Sequence, residues 1–70
     1  MNIEKITNEL CDKLINFNNK HNRNILELID ELLDNKYKKY KKDILVLLPS
    51  ILAEKGYVIK NSDFFELEKY

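Results

Sequence analysis

The sequence predicts an α+β fold, mainly helical, closed by a C-terminal β-hairpin, on three observations. Apolar residues recur at steps of three and four through three successive segments. The chain's single glycine, Gly56, falls just after the third segment. Beyond it the pattern changes to two short β-prone runs.

The first segment carries Ile3, Ile6, Leu10, Leu14 and Phe17 on one stripe, with Cys11 and Ile15 widening it. Glu4, Glu9, Asp12 and Lys13 fall off the stripe, and Asn2 is placed to cap. A helix over residues 2–18 follows. Asn18-Asn19-Lys20-His21-Asn22-Arg23 is polar and rich in turn formers, so it reads as a loop.

Asn24 opens a second helix over residues 24–34, with Glu27 at the capping-box position. Ile25, Leu28, Ile29, Leu32 and Leu33 make its apolar face. Glu27, Asp30, Glu31 and Asp34 make the other face, wholly acidic. Acids late in a helix oppose its dipole, so a cation supplied from elsewhere would relieve them.

The third segment spans residues 36–55. Tyr37, Tyr40, Ile44, Leu47 or Leu48, and Ile51 keep helical spacing. Pro49 interrupts it, removing a bond to the carbonyl of Leu45 at a cost of about 3 kcal/mol. The preceding residue is pushed out of the helical region, which favours a break over a kink. Tyr57-Val58-Ile59-Lys60 and Phe64-Phe65-Glu66-Leu67-Glu68, separated by Asn61-Ser62-Asp63, then form a hairpin over residues 57–68. Such a hairpin is marginal alone, so Tyr57, Ile59, Phe65 and Leu67 are expected to rest on the helices.

Seventy residues make one small domain with a shallow stability margin. Cys11 and His21 are the only cysteine and histidine, which leaves no intrachain disulfide and no metal-ligand spacing. Packing or self-association must supply the stability, and a homodimer would share burial. No apolar run approaches the roughly 20 residues of a membrane span, and no secretory pattern opens the chain. The expected location is cytoplasmic. The Asn-, Lys- and Ile-rich composition, with one Arg, fits an AT-rich coding genome such as that of a low-GC bacterium or its phage.

No catalytic constellation is legible. His21 stands among asparagines, Cys11 lies on an apolar helix face, and Ser50 and Ser62 lack triad partners. One glycine leaves no phosphate-cradling loop. The expectation is a non-enzymatic protein with no cofactor.

Charge is segregated. Lys36-Tyr37-Lys38-Lys39-Tyr40-Lys41-Lys42 holds five of twelve basic residues and no acid. The rest of the chain sets seven cations against twelve acids. On an α-helix Lys38, Lys41 and Lys42 share a face, with Lys36 and Lys39 beside it, while the tyrosines join the apolar stripe. Such lysines could follow phosphates and such tyrosines could stack on bases. Lysine lacks arginine's bidentate base readout, however, and the neutral net charge is unlike a nucleic-acid module. The expected function is therefore a protein-interaction module: an adaptor, regulator or inhibitor. Its contact surfaces are Lys36–Lys42 and the acids Glu27, Asp30, Glu31 and Asp34.

The alternative is a nucleic-acid-binding regulator. Leu48-Pro49-Ser50-Ile51-Leu52-Ala53-Glu54-Lys55-Gly56-Tyr57-Val58, with the hairpin after it, resembles the end of a winged-helix domain. The resemblance implies a recognition helix at Ser50–Lys55 leading through glycine to a β wing. The exposed positions of that helix, Glu54 and Lys55, cancel in charge, and the wing turn has no cation.

Overall fold

A computed structural model describes residues 2–16, 24–61 and 63–70. Three α-helices, a 3-10 helix and an antiparallel two-stranded hairpin follow one another: α1 (Ile3–Asn16), α2 (Ile25–Leu32), the 3-10 helix (Asn35–Tyr40), α3 (Lys41–Glu54), β1 (Tyr57–Asn61) and β2 (Glu66–Lys69). The predicted α+β class is the one observed. Phe17 and Asn18, the loop containing His21, and Ser62 lie outside the described residues.

α1 starts where Asn2 caps it, its Oδ1 accepting the Lys5 N–H at 3.1 Å. Leu10, Cys11 and Leu14 bury the predicted stripe. Thr7 is buried with them, its hydroxyl satisfied by the Ile3 carbonyl at 2.8 Å. Asn24 caps α2 by accepting the Glu27 N–H at 2.9 Å. α2 ends at Leu32, short of the expected residue 34. Leu33 turns extended at φ −85°, ψ 131°, which keeps its side chain in the core while releasing Asp34 to start the next turn.

The expected helix over residues 36–55 is two elements. Its first part is the 3-10 helix and its second is α3, which runs unbroken through Pro49. The break favoured from the sequence is therefore corrected. Ile44, Leu48, Ile51 and Leu52 lie on both sides of Pro49 and are all buried in one core. At about 1.5–3 kcal/mol for each buried side chain, their burial outweighs the roughly 3 kcal/mol that an interior proline costs. Pro49 itself is exposed, so its ring lies on the solvent side of α3.

Gly56 ends α3 with φ +89°, a left-handed conformation that glycine adopts without a Cβ penalty. Its N–H donates to the Ala53 carbonyl at 3.0 Å, and its own carbonyl accepts the Tyr70 N–H at 2.9 Å. The reversal and the hairpin's closing end are thus tied at one residue. β1 and β2 pair Tyr57 with Lys69, Val58 with Glu68 and Ile59 with Leu67, and a bulge shifts the register before Asn61 meets Glu66. Asn61 Oδ1 accepts the N–H groups of Asp63 and Phe64 at 3.0 and 3.4 Å, an Asx turn that orders the reversal. Phe65 and Leu67 are buried, and Tyr57 and Ile59 pack against the same core, as expected. α1 packs chiefly on α3, and β1 packs on α3.

Candidate protein-binding surface

The lysine-tyrosine run reads as two copies of Lys-Tyr-Lys followed by Lys42. A 3-10 helix has three residues per turn, so side chains at i and i+3 eclipse. A sequence repeating every three residues is thereby sorted into three ridges. Tyr37 and Tyr40 share the inner ridge, half-buried against the core. Within the 3-10 helix Lys38 lies on the second ridge and Lys36 and Lys39 on the third, while Lys41 and Lys42 open α3. The lysines expected on one α-helical face are divided between two elements, Lys38 in the 3-10 helix and Lys41 and Lys42 in α3. A 3-10 run of six residues exceeds the usual three or four. This one keeps both tyrosines on the core while dividing its three lysines between two ridges.

The ridges differ in their neighbours. Lys41 Nζ meets Asp30 Oδ1 of α2 at 2.6 Å. That bond holds the exposed Asp30 carboxyl below its ordinary range; desolvation opposes it, and the charges of Lys41 and Lys38 add smaller help. On the third ridge, Lys36 Nζ stands 5.0 Å from the Tyr37 ring centroid and Lys39 Nζ stands 5.2 Å from that of Tyr40. Both lie in cation–π range, worth roughly 0.5–1 kcal/mol at exposed sites. Each outer lysine is thus laid over a tyrosine that the core fixes from beneath.

Glu27, Asp30 and Glu31 are exposed on α2, whereas Asp34, expected on the same helix, lies beyond its end at the start of the 3-10 helix and is also exposed. The predicted outside cations are present. Lys41 meets Asp30, and Lys13 of α1 donates to the Leu32 carbonyl at 3.4 Å, at the negative end of the α2 dipole. Neither contact is visible in the sequence, because each depends on how helices far apart in the chain pack. The same holds for Lys55, which meets Asp12 at 2.9 Å. The three-residue period, by contrast, was present in the sequence and would have revealed the ridges.

Of the run's lysines, Lys36, Lys38, Lys39 and Lys42 are exposed and, among the described residues, pair with no carboxylate. They form an array of four cations available to a partner. Glu27 and Asp34 are likewise exposed and unpaired among the described residues.

Other chemistry is sparse. Cys11 is wholly buried, and its thiol reaches only the Leu48 carbonyl, at 3.9 Å. Burial pushes that thiol up to about 12, with Lys55 partly opposing. Such a group is not an activated nucleophile. Among the described residues, no group of three or more His, Cys, Asp or Glu side chains could hold a metal ion. A cleft of about 30 Å³ beside Tyr37 has room for roughly one water. A wider depression of about 310 Å³ between α1 and α3 is lined by Asn2, Glu4, Lys5, Asn8 and Glu54, with Ile51 alone apolar. Small-molecule sites are lined mostly by apolar groups. Among the described residues, no helix is long and apolar enough to cross a membrane.

Compared with protein-family models, with curated proteins and with solved structures, the chain matches none.

Proposed function

We propose that this chain is a non-enzymatic interaction module that binds an acidic surface of another protein through Lys36, Lys38, Lys39 and Lys42. The observation that supports this reading is the unequal use of the five lysines. Lys41 is engaged by Asp30, whereas the other four point outward with no carboxylate partner among the described residues. Two of the four are steadied over tyrosine rings. Pre-ordered long side chains lose less entropy when a partner arrives. The acids Glu27, Asp30, Glu31 and Asp34 adjoin this array and set its register by opposing misplaced partners.

A winged-helix mode of nucleic-acid binding is disfavoured by α3. Its exposed residues include Lys42, Asp43, Val46, Pro49, Ser50, Ala53 and Glu54, one cation against two acids. A helix following phosphates would carry the opposite balance.

Affinity capture with the wild-type chain and with K36E/K38E/K39E/K42E as baits tests the reading. The wild type is expected to retain an acidic partner that the variant loses. Equal capture by both baits would sink the assignment of the site. A mobility-shift assay at low salt addresses nucleic acid: binding there, at the roughly 10⁻⁴–10⁻⁶ M typical of non-specific contacts, would favour the rival instead.

A further inference from the structure

We infer that Asn35–Tyr40 is a conformational switch: when an acidic polypeptide neutralises its lysines, the segment changes from 3-10 to α and joins α3 in one helix over residues 35–54. The inference rests on the reading above, that these lysines take an acidic surface, and adds how that site responds when occupied.

Three features point to two accessible forms. The 3-10 run is six residues long, where three or four is usual, and it leads into α3 with no residue between. Its hydrogen bonds have poorer geometry than those of an α-helix, and such stretches beside one often mark hinges. Secondly, Asp34 stands where the N-cap of a longer α-helix would stand. It has the non-helical backbone of such a cap, φ −58° and ψ 143°, yet its side chain caps nothing. The Tyr37 N–H that it would cap is held instead by the Asp34 carbonyl at 2.9 Å. Thirdly, the buried stripe of α3 continues back through the segment at α-helical steps. Tyr37, Tyr40, Ile44, Leu48 and Ile51 are three, four, four and three residues apart, and all pack in one core. The tyrosines thus suit the core in either form.

Charge opposes the α form. It would set Lys38 one turn from Lys42 on a single helix, and like charges four residues apart are destabilising. A 3-10 helix turns each residue about 20° further than an α-helix does, which holds Lys38 away from Lys42. The α form is also shorter by about 3 Å over six residues, so it crowds the same lysines. An acidic partner cancels both penalties. Asp34 Oδ then accepts the Tyr37 N–H, the Asp34 carbonyl passes to the Lys38 N–H, and Lys38, Lys41 and Lys42 come onto one face. Leu33 and Asp34, both outside the helical region at ψ 131° and 143°, take up the change in length.

NMR of the isotope-labelled chain at low salt, with and without an octaglutamate peptide, tests this. In the free chain, contacts between each Hα and the amide two residues on should mark the segment. With saturating peptide, contacts to the amide four residues on should replace them, including Lys36 to Tyr40 and Tyr37 to Lys41. D34A should bind the peptide yet populate the α form roughly three- to tenfold less, since the cap operates only in that form. K36Q/K38Q/K39Q/K42Q removes charge at near-equal helix propensity. It should show the α contacts with no peptide present.

A peptide-bound wild type that keeps the 3-10 contacts overturns the inference. So does a free wild type that already shows the α contacts, a D34A chain that converts as fully as wild type, or a glutamine variant that stays 3-10. A wild type whose lysine amides do not shift with peptide counts against the proposed function, and the glutamine variant then decides the switch by itself.

Discussion

Asp30 and Lys41 are the residues at which the two charged surfaces meet, and their bond has a measurable titration consequence. Lys41 donates to the Asp30 carboxylate and lowers its pKa from the ordinary 3.8. A depressed folded pKa contributes stability that is present above the unfolded value and lost as pH falls through the folded one. An NMR titration should therefore place the Asp30 midpoint below 3.8, and K41M should return it toward that value. A midpoint unmoved by K41M would show that the pair does not persist in solution. Cys11 carries the opposite sign. Burial raises its thiol from 9.0 to about 12. The contribution of this group to stability is full below pH 9.0 and is lost as pH rises toward about 12. In native protein near neutral pH an alkylating reagent should label Cys11 only through unfolding. Labelling is thus expected to accelerate in step with the unfolded fraction in urea. Rapid labelling without denaturant would contradict the burial.

Among elements, α3 shows most clearly where local rules yield to packing. Leu48, the residue before proline, is 1% exposed and stays helical against its steric preference. The core on both sides of Pro49 holds it there. P49A restores the N–H toward the Leu45 carbonyl and removes the ring clash, a gain near 3 kcal/mol. It also frees the unfolded chain, a loss of about 0.4–1 kcal/mol. The net expectation is stabilisation by about 2 kcal/mol, read as a higher urea midpoint with unchanged slope. A lower midpoint would mean that the proline shapes the helix for its packing. The same contrast explains what the sequence made legible. The α1 stripe from Ile3 to Leu14, the Asn24 cap, the exposed acids Glu27, Asp30 and Glu31 of α2, the Gly56 reversal and the inward Phe65 and Leu67 all follow from near neighbours, and all are observed. The unbroken α3 depends on contacts with α1 and the hairpin, which sequence spacing cannot weigh. The 3-10 helix escaped for another reason. Over two turns, apolar residues at Tyr37 and Tyr40 suit a period of 3.0 as well as 3.6. Only the lysines between them distinguish the two, and as polar residues they do not enter the apolar stripe.

For the whole molecule, a small core makes every buried side chain count. Stability of about 0.05–0.15 kcal/mol per residue gives a chain of this length roughly 3.5–10 kcal/mol in total. Phe65 is the largest fully buried side chain, and it comes from the turn before β2, an element with little stability of its own. It shares one cluster with Leu10 and Leu14 of α1, Leu28 and Ile29 of α2, and Leu48 and Leu52 of α3. Removing a buried phenylalanine ring costs about 3–5 kcal/mol, so F65A is expected to consume much or all of the available stability. The loss should reach the helices and not stop at the hairpin, because the cavity opens in the core they share. Helical circular dichroism and the hairpin amides should then fail at one urea concentration in F65A, well below the wild-type midpoint. Helices that melt at the wild-type midpoint while the hairpin is lost would instead make the hairpin an appendage. Phe64, the neighbouring ring, is 55% exposed. F64A should change the unfolding free energy by less than about 1 kcal/mol, as surface substitutions usually do. The contrast between these adjacent phenylalanines separates a general aromatic contribution from the burial of one ring in a shared core.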